Sequence, residues 1–225
     1  MPKHLEAAPW LAVHDRLLAA LGAQHWWPGE TPFEVMVGAV LTQNTAWSNV
    51  ERAIANLKAA DALSVAAILR LGDGELAALI RPAGYFNVKT RRLKALCGFL
   101  ERAGVGGDPV RLARGGRLPA LRQRLLEVNG VGEETADSIL LYALGLPSFV
   151  VDAYTRRIFA RLGLIGGAET YAHIRRTFMD RLPPDPALYN EYHALIVALG
   201  KDFCRPKPRC ASCPLVDLCP RRGLE

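Results

Sequence analysis

The sequence predicts an all-α protein, and three observations support this fold class. Apolar residues recur with helical spacing along most of the 225 residues. In the stretch ETADSILLYAL they stand at positions 136, 139, 140, 143 and 144, which form one face of a helix. Short turns rich in glycine and proline separate such stripes, and no segment alternates apolar and polar residues as a half-buried strand does. We therefore expect about ten helices.

The other predicted helices follow from the same spacing. In chain order the stripes are FEVMVGAVLTQ, VERAIANLKAA, DALSVAAILRL, KTRRLKALCGFL and EYHALIVALGKDF. Apolar residues make up 50% of the chain, which is enough for a substantial core. Cys97 lies within one stripe, so we expect its thiol to be part of that core.

The charge of the chain favours nucleic acid as a partner. The formal net charge is +6, with a pI near 9.2, and 22 arginines outnumber six lysines. Guanidinium groups bind phosphate through two parallel hydrogen bonds, which makes this bias informative. A basic surface that is merely solvated is the alternative interpretation.

The sequence also favours an intracellular protein, cytoplasmic or associated with the nucleoid. No apolar run reaches the ~20 residues that cross a bilayer. The first ten residues, MPKHLEAAPW, lack the cationic start and apolar stretch of a signal peptide.

Four cysteines close to the C-terminus predict a metal site. They have the spacing C-x5-C-x2-C-x5-C, at Cys204, Cys210, Cys213 and Cys219. In a reducing compartment such a group ligates metal more often than it forms disulfides. Four thiolates can hold a [4Fe-4S] cluster or a tetrahedral zinc ion, and the spacing alone does not separate the two.

A short basic loop lies between the first two of these cysteines. Its sequence, RPKPR, contributes Arg205, Lys207 and Arg209. Three cations in five residues favour contact with DNA phosphates.

The stretch LLEVNGVGEETA predicts a helix-hairpin-helix. One helix is expected to end at Val128 and the next to open at Glu133, with Gly130, Val131 and Gly132 in the turn between them. The glycines leave backbone N–H groups accessible beside the positive end of the second helix, which favours an anion. A DNA phosphate suits this turn without any base being read. An ordinary αα-hairpin remains the alternative.

Asp152 has two interpretations. It precedes the helical stretch AYTRRIFARLG, so it can act as an N-cap that stabilises the helix by ~1 kcal/mol. An aspartate at a helix N-terminus also stays ionised. Placed near a nucleotide that the hairpin holds, its carboxylate could stabilise positive charge on a sugar and orient a water molecule.

The hairpin, the aspartate and the terminal cysteines, in this order, resemble the endonuclease III branch of the helix-hairpin-helix DNA glycosylases. The resemblance implies a six-helix barrel domain with the hairpin at residues 25–146, and a second helical domain, residues 1–24 and 147–225, that carries a [4Fe-4S] cluster. It also implies that Asp152 is the catalytic aspartate and that the hairpin turn binds DNA. Gln43, in LTQNT, matches the glutamine that fills the gap left by a flipped base, and Tyr85, in AGYFNVK, stands at a second intercalating position.

The hairpin departs from the bifunctional members of that family at Glu134. Those enzymes carry a lysine at this position, and its amine attacks the sugar and cleaves the strand. A carboxylate cannot form a Schiff base, and no lysine occurs between Lys94 and Lys201. The expected enzyme is therefore monofunctional, and the acidic first turn suits the helix dipole.

Three further stretches are similar to 3-methyladenine DNA glycosylase III, a monofunctional family that also has glutamate at the lysine position. They are HWWPGETPFEVMVGAVLTQNTAW, RPAGYFNVKTRRL and GVGEETADSILLYA. In that family aromatic side chains stack on the base, and Trp26, Trp27 and Trp47 occupy the matching positions. Core packing is the alternative for each tryptophan.

The sequence thus predicts a monomeric base-excision-repair glycosylase that acts on double-stranded DNA with a damaged base. An alkylated purine is the favoured substrate, because a cationic base suits an aromatic pocket and leaves without a strong general acid. Two alternatives stay open. One is a bifunctional endonuclease III-type glycosylase and abasic-site lyase for oxidised pyrimidines, and the other is a non-catalytic DNA-binding iron-sulfur protein.

Overall fold

The computed structural model describes residues 3–114 and 116–224, and every regular element within these ranges is helical. The prediction of an all-α fold is therefore confirmed. None of the helices in the described ranges is long and apolar enough to span a membrane. The α-helices are α1 (Lys3–Leu21), α2 (Pro32–Leu41), α3 (Trp47–Ala59), α4 (Val65–Arg70), α5 (Asp73–Leu79), α6 (Phe86–Arg102), α7 (Leu118–Leu126), α8 (Glu133–Ser138), α9 (Ala153–Arg161), α10 (Tyr171–Arg181) and α11 (Pro186–Asp202).

The chain divides into two compact units, which are described separately. The first unit is formed by the residues up to Trp26 together with those from Pro147 onward, and it contains α1 and α9 to α11. The second unit is Trp27–Leu146, and it contains α2 to α8.

Helix α2 is the centre of the second unit. Thr31 caps it by accepting a hydrogen bond from the backbone N–H of Glu34 at 3.1 Å, and Pro32 occupies the first turn, where no N–H is needed. Nine of its ten residues are buried, because the helix packs against α3, α6, α8 and the chain after α8. A helix that is apolar on all sides is stable only in such a position.

The helix α8 continues into a wider π-helical turn at Ile139–Ala143. The apolar face that the sequence predicts here, residues 136, 139, 140, 143 and 144, is buried throughout. The wider turn is closed by a hydrogen bond from the backbone N–H of Leu144 to the carbonyl of Ile139 at 3.1 Å. Tyr142 lies within this turn and is half-buried, and such turns occur often at functional sites.

The first unit has an aromatic core. Trp10 of α1 stacks on Phe159 of α9 with ring centroids 5.1 Å apart, and Phe178 of α10 meets Trp10 edge-on at 4.7 Å. Tyr192 of α11 donates a hydrogen bond to the carbonyl of Trp10 at 2.6 Å. These contacts join the four helices of the unit around one apolar centre.

A buried lysine joins two loops of the second unit. Lys89 on α6 is 1% exposed, and its Nζ donates to the carbonyls of Leu41, at the end of α2, and Ala83, before Tyr85, both at 2.8 Å. Burial, with a smaller contribution from Arg92, lowers the pKa of Lys89 to about 8. These two carbonyls partly compensate for the desolvation of the ammonium group.

This pKa makes the stability of the protein depend on pH. Between pH about 8 and 10.5 the unfolded chain binds a proton at Lys89 that the folded chain does not. The contribution of Lys89 to the free energy of unfolding should therefore rise with pH across this window. Urea denaturation of the wild type and of Lys89→Met should show a difference that grows in favour of the wild type as pH increases. Parallel pH profiles would contradict this assignment.

Candidate functional site

The predicted hairpin is present, with one shifted boundary. Helix α7 ends at Leu126 rather than at Val128, because the backbone N–H of Val128 bonds to the carbonyl of Leu125, at 3.1 Å, in a tighter turn. Helix α8 opens at Glu133, as the sequence predicts. The side chain of Val131 is buried, and its backbone N–H donates to the carbonyl of Val128 at 3.0 Å.

The two glycines of the turn serve different purposes. Gly130 has φ +85°, and a Cβ built on it would lie 2.1 Å from Cγ of Arg92. It is therefore required by the fold itself. Gly132 has φ −86°, which any residue adopts, and a Cβ there would meet nothing within 4 Å. Its bare and exposed backbone is open to a molecule that approaches from outside.

An ion pair braces the two helices of the hairpin. Arg122 of α7 donates through Nε and Nη2 to the carboxylate of Asp137 on α8, each at 2.9 Å, and the Asp137 side chain is completely buried. Arg122 also reaches Glu133 at 3.2 Å. Two parallel hydrogen bonds to a buried carboxylate fix the angle between the helices.

The glutamates of the first turn of α8 have separate environments. Glu133 is held by Arg122, whereas Glu134 is exposed. The carboxylate of Glu134 therefore stands on the surface of the hairpin helix, at the position where the resemblance expects a lysine in bifunctional enzymes.

Gln43 lies in the turn that follows α2, and its side-chain amide bonds to the hairpin. Its Nε2 donates to the carbonyl of Gly130 at 3.0 Å and to Oγ1 of Thr135 at 2.9 Å. Its Oε1 accepts a hydrogen bond from Nη1 of Arg92. The predicted gap-filling residue and the predicted DNA-binding turn are thus in direct contact.

Tyr85 stands out on the surface of the second unit. Its side chain is 71% exposed, and its backbone is left-handed, with φ +45°. The carbonyl of Tyr85 accepts from the backbone N–H groups of Val88 and Lys89, both at 3.0 Å, in the first turn of α6. This geometry presents the phenol to solvent at the start of α6.

The structure brings two of the three predicted tryptophans together. Trp27 meets Trp47 edge-on at 5.0 Å and lies 4.9 Å from the ring of Tyr142. Trp26 belongs to the first unit, where Lys201 stands over its ring at 5.8 Å. The sequence did not predict Tyr142 as a ring partner of Trp27, because a tyrosine among the apolar residues of a helix is typical of core packing.

Asp152 caps helix α9, as the sequence predicts. Its Oδ1 accepts from the backbone N–H of Thr155 at 2.7 Å and from the Thr155 hydroxyl at 2.8 Å. Its Oδ2 lies 3.6 Å from Nε2 of His193 on α11. Burial lowers the pKa of His193, and the charge of Asp152 opposes this effect. His193 was not predicted, since a lone histidine in an apolar stripe carries no motif.

The four terminal cysteines line one cavity, together with Arg161, Phe203 and other residues of the C-terminal segment. Burial raises the pKa of Cys213, and the nearby thiols of Cys204, Cys219 and Cys210 raise it further, while a backbone hydrogen bond with Leu215 opposes them. In the described ranges no group of three or more His, Cys, Asp or Glu side chains is placed to hold a single metal ion. The four thiols are therefore neighbours around a common space.

Helix α9 is tied to the cysteine segment at its C-terminal end. Arg157 donates to the carbonyl of Cys204 at 2.8 Å. Arg161 donates to Sγ of Cys204 at 3.3 Å and to the carbonyls of Arg205 and Pro206 at 2.7 and 3.1 Å. The same helix therefore carries Asp152 at one end and supports the basic loop at the other.

The side chains of the basic loop face solvent. Arg205, Lys207 and Arg209 are all exposed. Arg205 also donates to the carbonyl of Lys201 at 2.6 Å, which orders its stem while the guanidinium stays accessible.

Known proteins share both the sequence and the fold of this chain. Residues 37–184 match the model of the HhH-GPD superfamily base excision DNA repair proteins. A candidate DNA repair glycosylase of Methanocaldococcus jannaschii is 50% identical over 208 residues, which are 92% of this chain and 94% of that protein.

Two solved structures extend the comparison. An endonuclease III in a non-covalent complex with DNA superposes with a TM-score of 0.81 at 24% identity, over 96% of this chain and 95% of that one. The 3-methyladenine DNA glycosylase of Helicobacter pylori, bound to 1,N6-ethenoadenine, superposes with a TM-score of 0.69 at 28% identity, over 88% and 96%. The predicted endonuclease III-like resemblance and DNA N-glycosylase class are confirmed. The chain therefore belongs to the HhH-GPD superfamily of base excision DNA repair proteins.

Proposed function

We propose that this protein is a monofunctional DNA glycosylase that flips an alkylated purine out of the duplex and hydrolyses its N-glycosidic bond. The observation that carries the proposal is the pair of carboxylates: Asp152 is fixed at the start of α9, while Glu134 occupies the hairpin position of the family lysine. The Asp152 carboxylate supplies a negative charge for hydrolysis. Glu134 replaces the lysine whose amine is needed for strand cleavage. Double-stranded DNA with a damaged base is the proposed partner of a monomeric enzyme.

The hairpin would hold the DNA backbone. The first N–H groups of a helix have no intrahelical partner, and the open space around the exposed Gly132 would let a phosphate approach them. The basic loop adds Arg205, Lys207 and Arg209 as further phosphate contacts. Gln43 and Tyr85 are the side chains proposed to enter the duplex where the base has left, because a base must leave the stack before it can react.

Asp152 would act on the sugar. One of its oxygens is engaged in the helix cap, so the carboxylate is held in place before the substrate arrives. As the N-glycosidic bond breaks, its electron pair leaves with the base and positive charge develops on the sugar. The negative charge of Asp152 stabilises that state and orients a water molecule, whose oxygen bonds to C1′ and whose proton passes to the carboxylate and then to solvent.

The aromatic side chains support an alkylated purine as the substrate. Trp27, Trp47 and Tyr142 form one cluster, and such rings attract a cationic base by stacking and cation-π interaction. The resemblance alone supports Trp26 as a residue of the pocket, because the ammonium group of Lys201 already lies over its ring. The H. pylori relative, whose name states 3-methyladenine as its substrate, supports the same class of lesion.

The four cysteines are proposed to hold a [4Fe-4S] cluster, with a tetrahedral zinc ion as the alternative. All four thiols line one cavity, and Arg161 donates a hydrogen bond to Sγ of Cys204. The resemblance to endonuclease III favours the cluster over zinc. The cluster would stabilise the C-terminal segment that presents the basic loop.

Base release tests the role of Asp152. The change Asp152→Asn keeps the size and much of the capping ability but removes the negative charge, so it should slow the release of 3-methyladenine from methylated duplex by on the order of a hundredfold. The measurement is single-turnover base release. DNA affinity and thermal stability should change little.

A matched control exists at another helix. Asp185 caps α11 by accepting from the backbone N–H of Ala187 at 2.8 Å, and Asp185→Asn makes the same chemical change away from the proposed chemistry. Its base release should equal that of the wild type. Undiminished release by Asp152→Asn would leave this residue a helix cap only.

Borohydride trapping tests the absence of lyase chemistry. Wild-type protein should form no covalent adduct with abasic DNA, because Glu134 cannot form a Schiff base. Glu134→Lys restores the amine of bifunctional relatives and should produce trapped adducts and some strand cleavage. Glu134→Gln is the control, since it removes the charge without adding an amine. Efficient trapping by the wild type would instead favour the bifunctional alternative, with another lysine as the nucleophile.

Metal analysis tests the cluster. Protein purified without oxygen should be brown and contain about four irons per chain. Cys210→Ser should lose iron and soluble yield together. Cys97→Ala should keep the full iron content, because Cys97 is completely buried in the second unit and burial raises its pKa to about 12. A colourless protein with one zinc would exclude the cluster.

A further inference from the structure

Arg92 contacts both the Gln43 side chain and the hairpin turn. It stands on α6 one turn after Lys89, and its Nη1 donates to Oε1 of Gln43. Its aliphatic stem fills the space over Gly130, where a Cβ would lie 2.1 Å from Cγ and 2.6 Å from Cδ. One side chain thus packs against the turn with its stem and holds Gln43 with its charged end.

The Gln43 amide is fixed by these contacts. Both of its N–H groups are used, one on the carbonyl of Gly130 and one on the hydroxyl of Thr135, which is 6% exposed. If the amide rotated by half a turn, its oxygen would face the Gly130 carbonyl and its N–H groups would face the Arg92 guanidinium. Both contacts would be repulsive, so Arg92 selects one orientation of the amide.

We propose that Arg92 is a positioning residue that locks Gln43 onto the hairpin, so that the phosphate-binding turn and the gap-filling side chain engage DNA as one unit. The proposal rests on the proposed function for its partner, damaged duplex DNA. It assigns Arg92 an effect through Gln43 and not through substrate. A guanidinium does this better than an ammonium, because it donates in a fixed direction.

The physical consequence is coupling between two parts of DNA recognition. Gly130 cannot move far without pressing on the Arg92 stem, and Arg92 cannot move without releasing Gln43. When a phosphate orders the turn, it therefore also orders the residue that occupies the gap in the duplex. The Gln43 side chain therefore loses its conformational entropy when the protein folds and not when DNA binds.

A double-mutant cycle without DNA tests the first step. Arg92→Met keeps the stem and removes the donor, and Gln43→Ala removes the amide. Their losses in free energy of unfolding should be strongly non-additive, because each change breaks the same contact. Arg91→Met is the matched control, since Arg91 is the exposed neighbour on the same helix. Additive losses in free energy of unfolding would contradict the proposal that Arg92 fixes Gln43. If Arg92→Met does not fold, Arg92→Lys takes its place, with the same expectation of non-additivity.

Binding to two duplexes tests the second step. Arg92→Met and Gln43→Ala should each weaken binding to a duplex with a tetrahydrofuran abasic analogue by about tenfold. The double variant should bind this duplex no more weakly than the weaker-binding of the two single variants. Undamaged duplex should be bound nearly as well by every variant. Arg91→Met should leave the ratio between the two duplexes unchanged.

Other outcomes are equally decisive. Equal losses on both duplexes, with a salt dependence reduced by about one contact, would make Arg92 a direct phosphate ligand and overturn the proposal. Wild-type protein that does not prefer the abasic duplex would contradict the proposed function. The cycle without DNA would still decide whether Arg92 locks Gln43, so the two failures are distinguishable.

Discussion

The buried ammonium of Lys89 is the interaction on which the second unit depends. It donates hydrogen bonds of 2.8 Å to two carbonyls. One belongs to Leu41, at the end of α2, and the other to Ala83, which lies shortly before Tyr85. A charged group in the interior is costly unless its donors are used, and here two carbonyls that helix geometry leaves without a partner use them. The two loops that carry Gln43 and Tyr85 therefore start from one fixed point on α6. The stability of this point is set by the protonation state of one amine.

Helix α9 has a comparable role in the first unit. Its N-terminal end orients the Asp152 carboxylate through Thr155, and its C-terminal end donates from Arg157 and Arg161 to the segment of the cysteines. A helix is stiff over this short length, so both ends are placed by one element. Loss of the cysteine segment would remove the hydrogen-bond partners of both arginines and leave their charges half-buried. The cysteine segment therefore helps to hold α9 in place.

The carboxylates of the molecule show how environment divides one chemical group into several roles. Asp137 is buried and paired with Arg122, so it serves the packing of the hairpin. Asp152 is partly covered and caps α9, with one carboxylate oxygen near His193. Glu134 lies on the surface, where a carboxylate is stable but cannot replace a nucleophilic amine. Sequence position alone does not separate these three carboxylates, since each stands close to the start of a helix.

The sequence by itself determined the helical class, the hairpin start at Glu133, the cap at Asp152 and the burial of Cys97, because periodicity, capping and turn chemistry act between residues a few positions apart. It also carried the family, through the hairpin and Asp152 and the terminal cysteines. Only the tertiary structure decided that Gln43 meets Arg92 and the hairpin, that Tyr142 joins Trp27, and that His193 lies near Asp152. These pairs are separated by 41 to 115 positions, and no local pattern records which distant side chains the packing of helices will bring together.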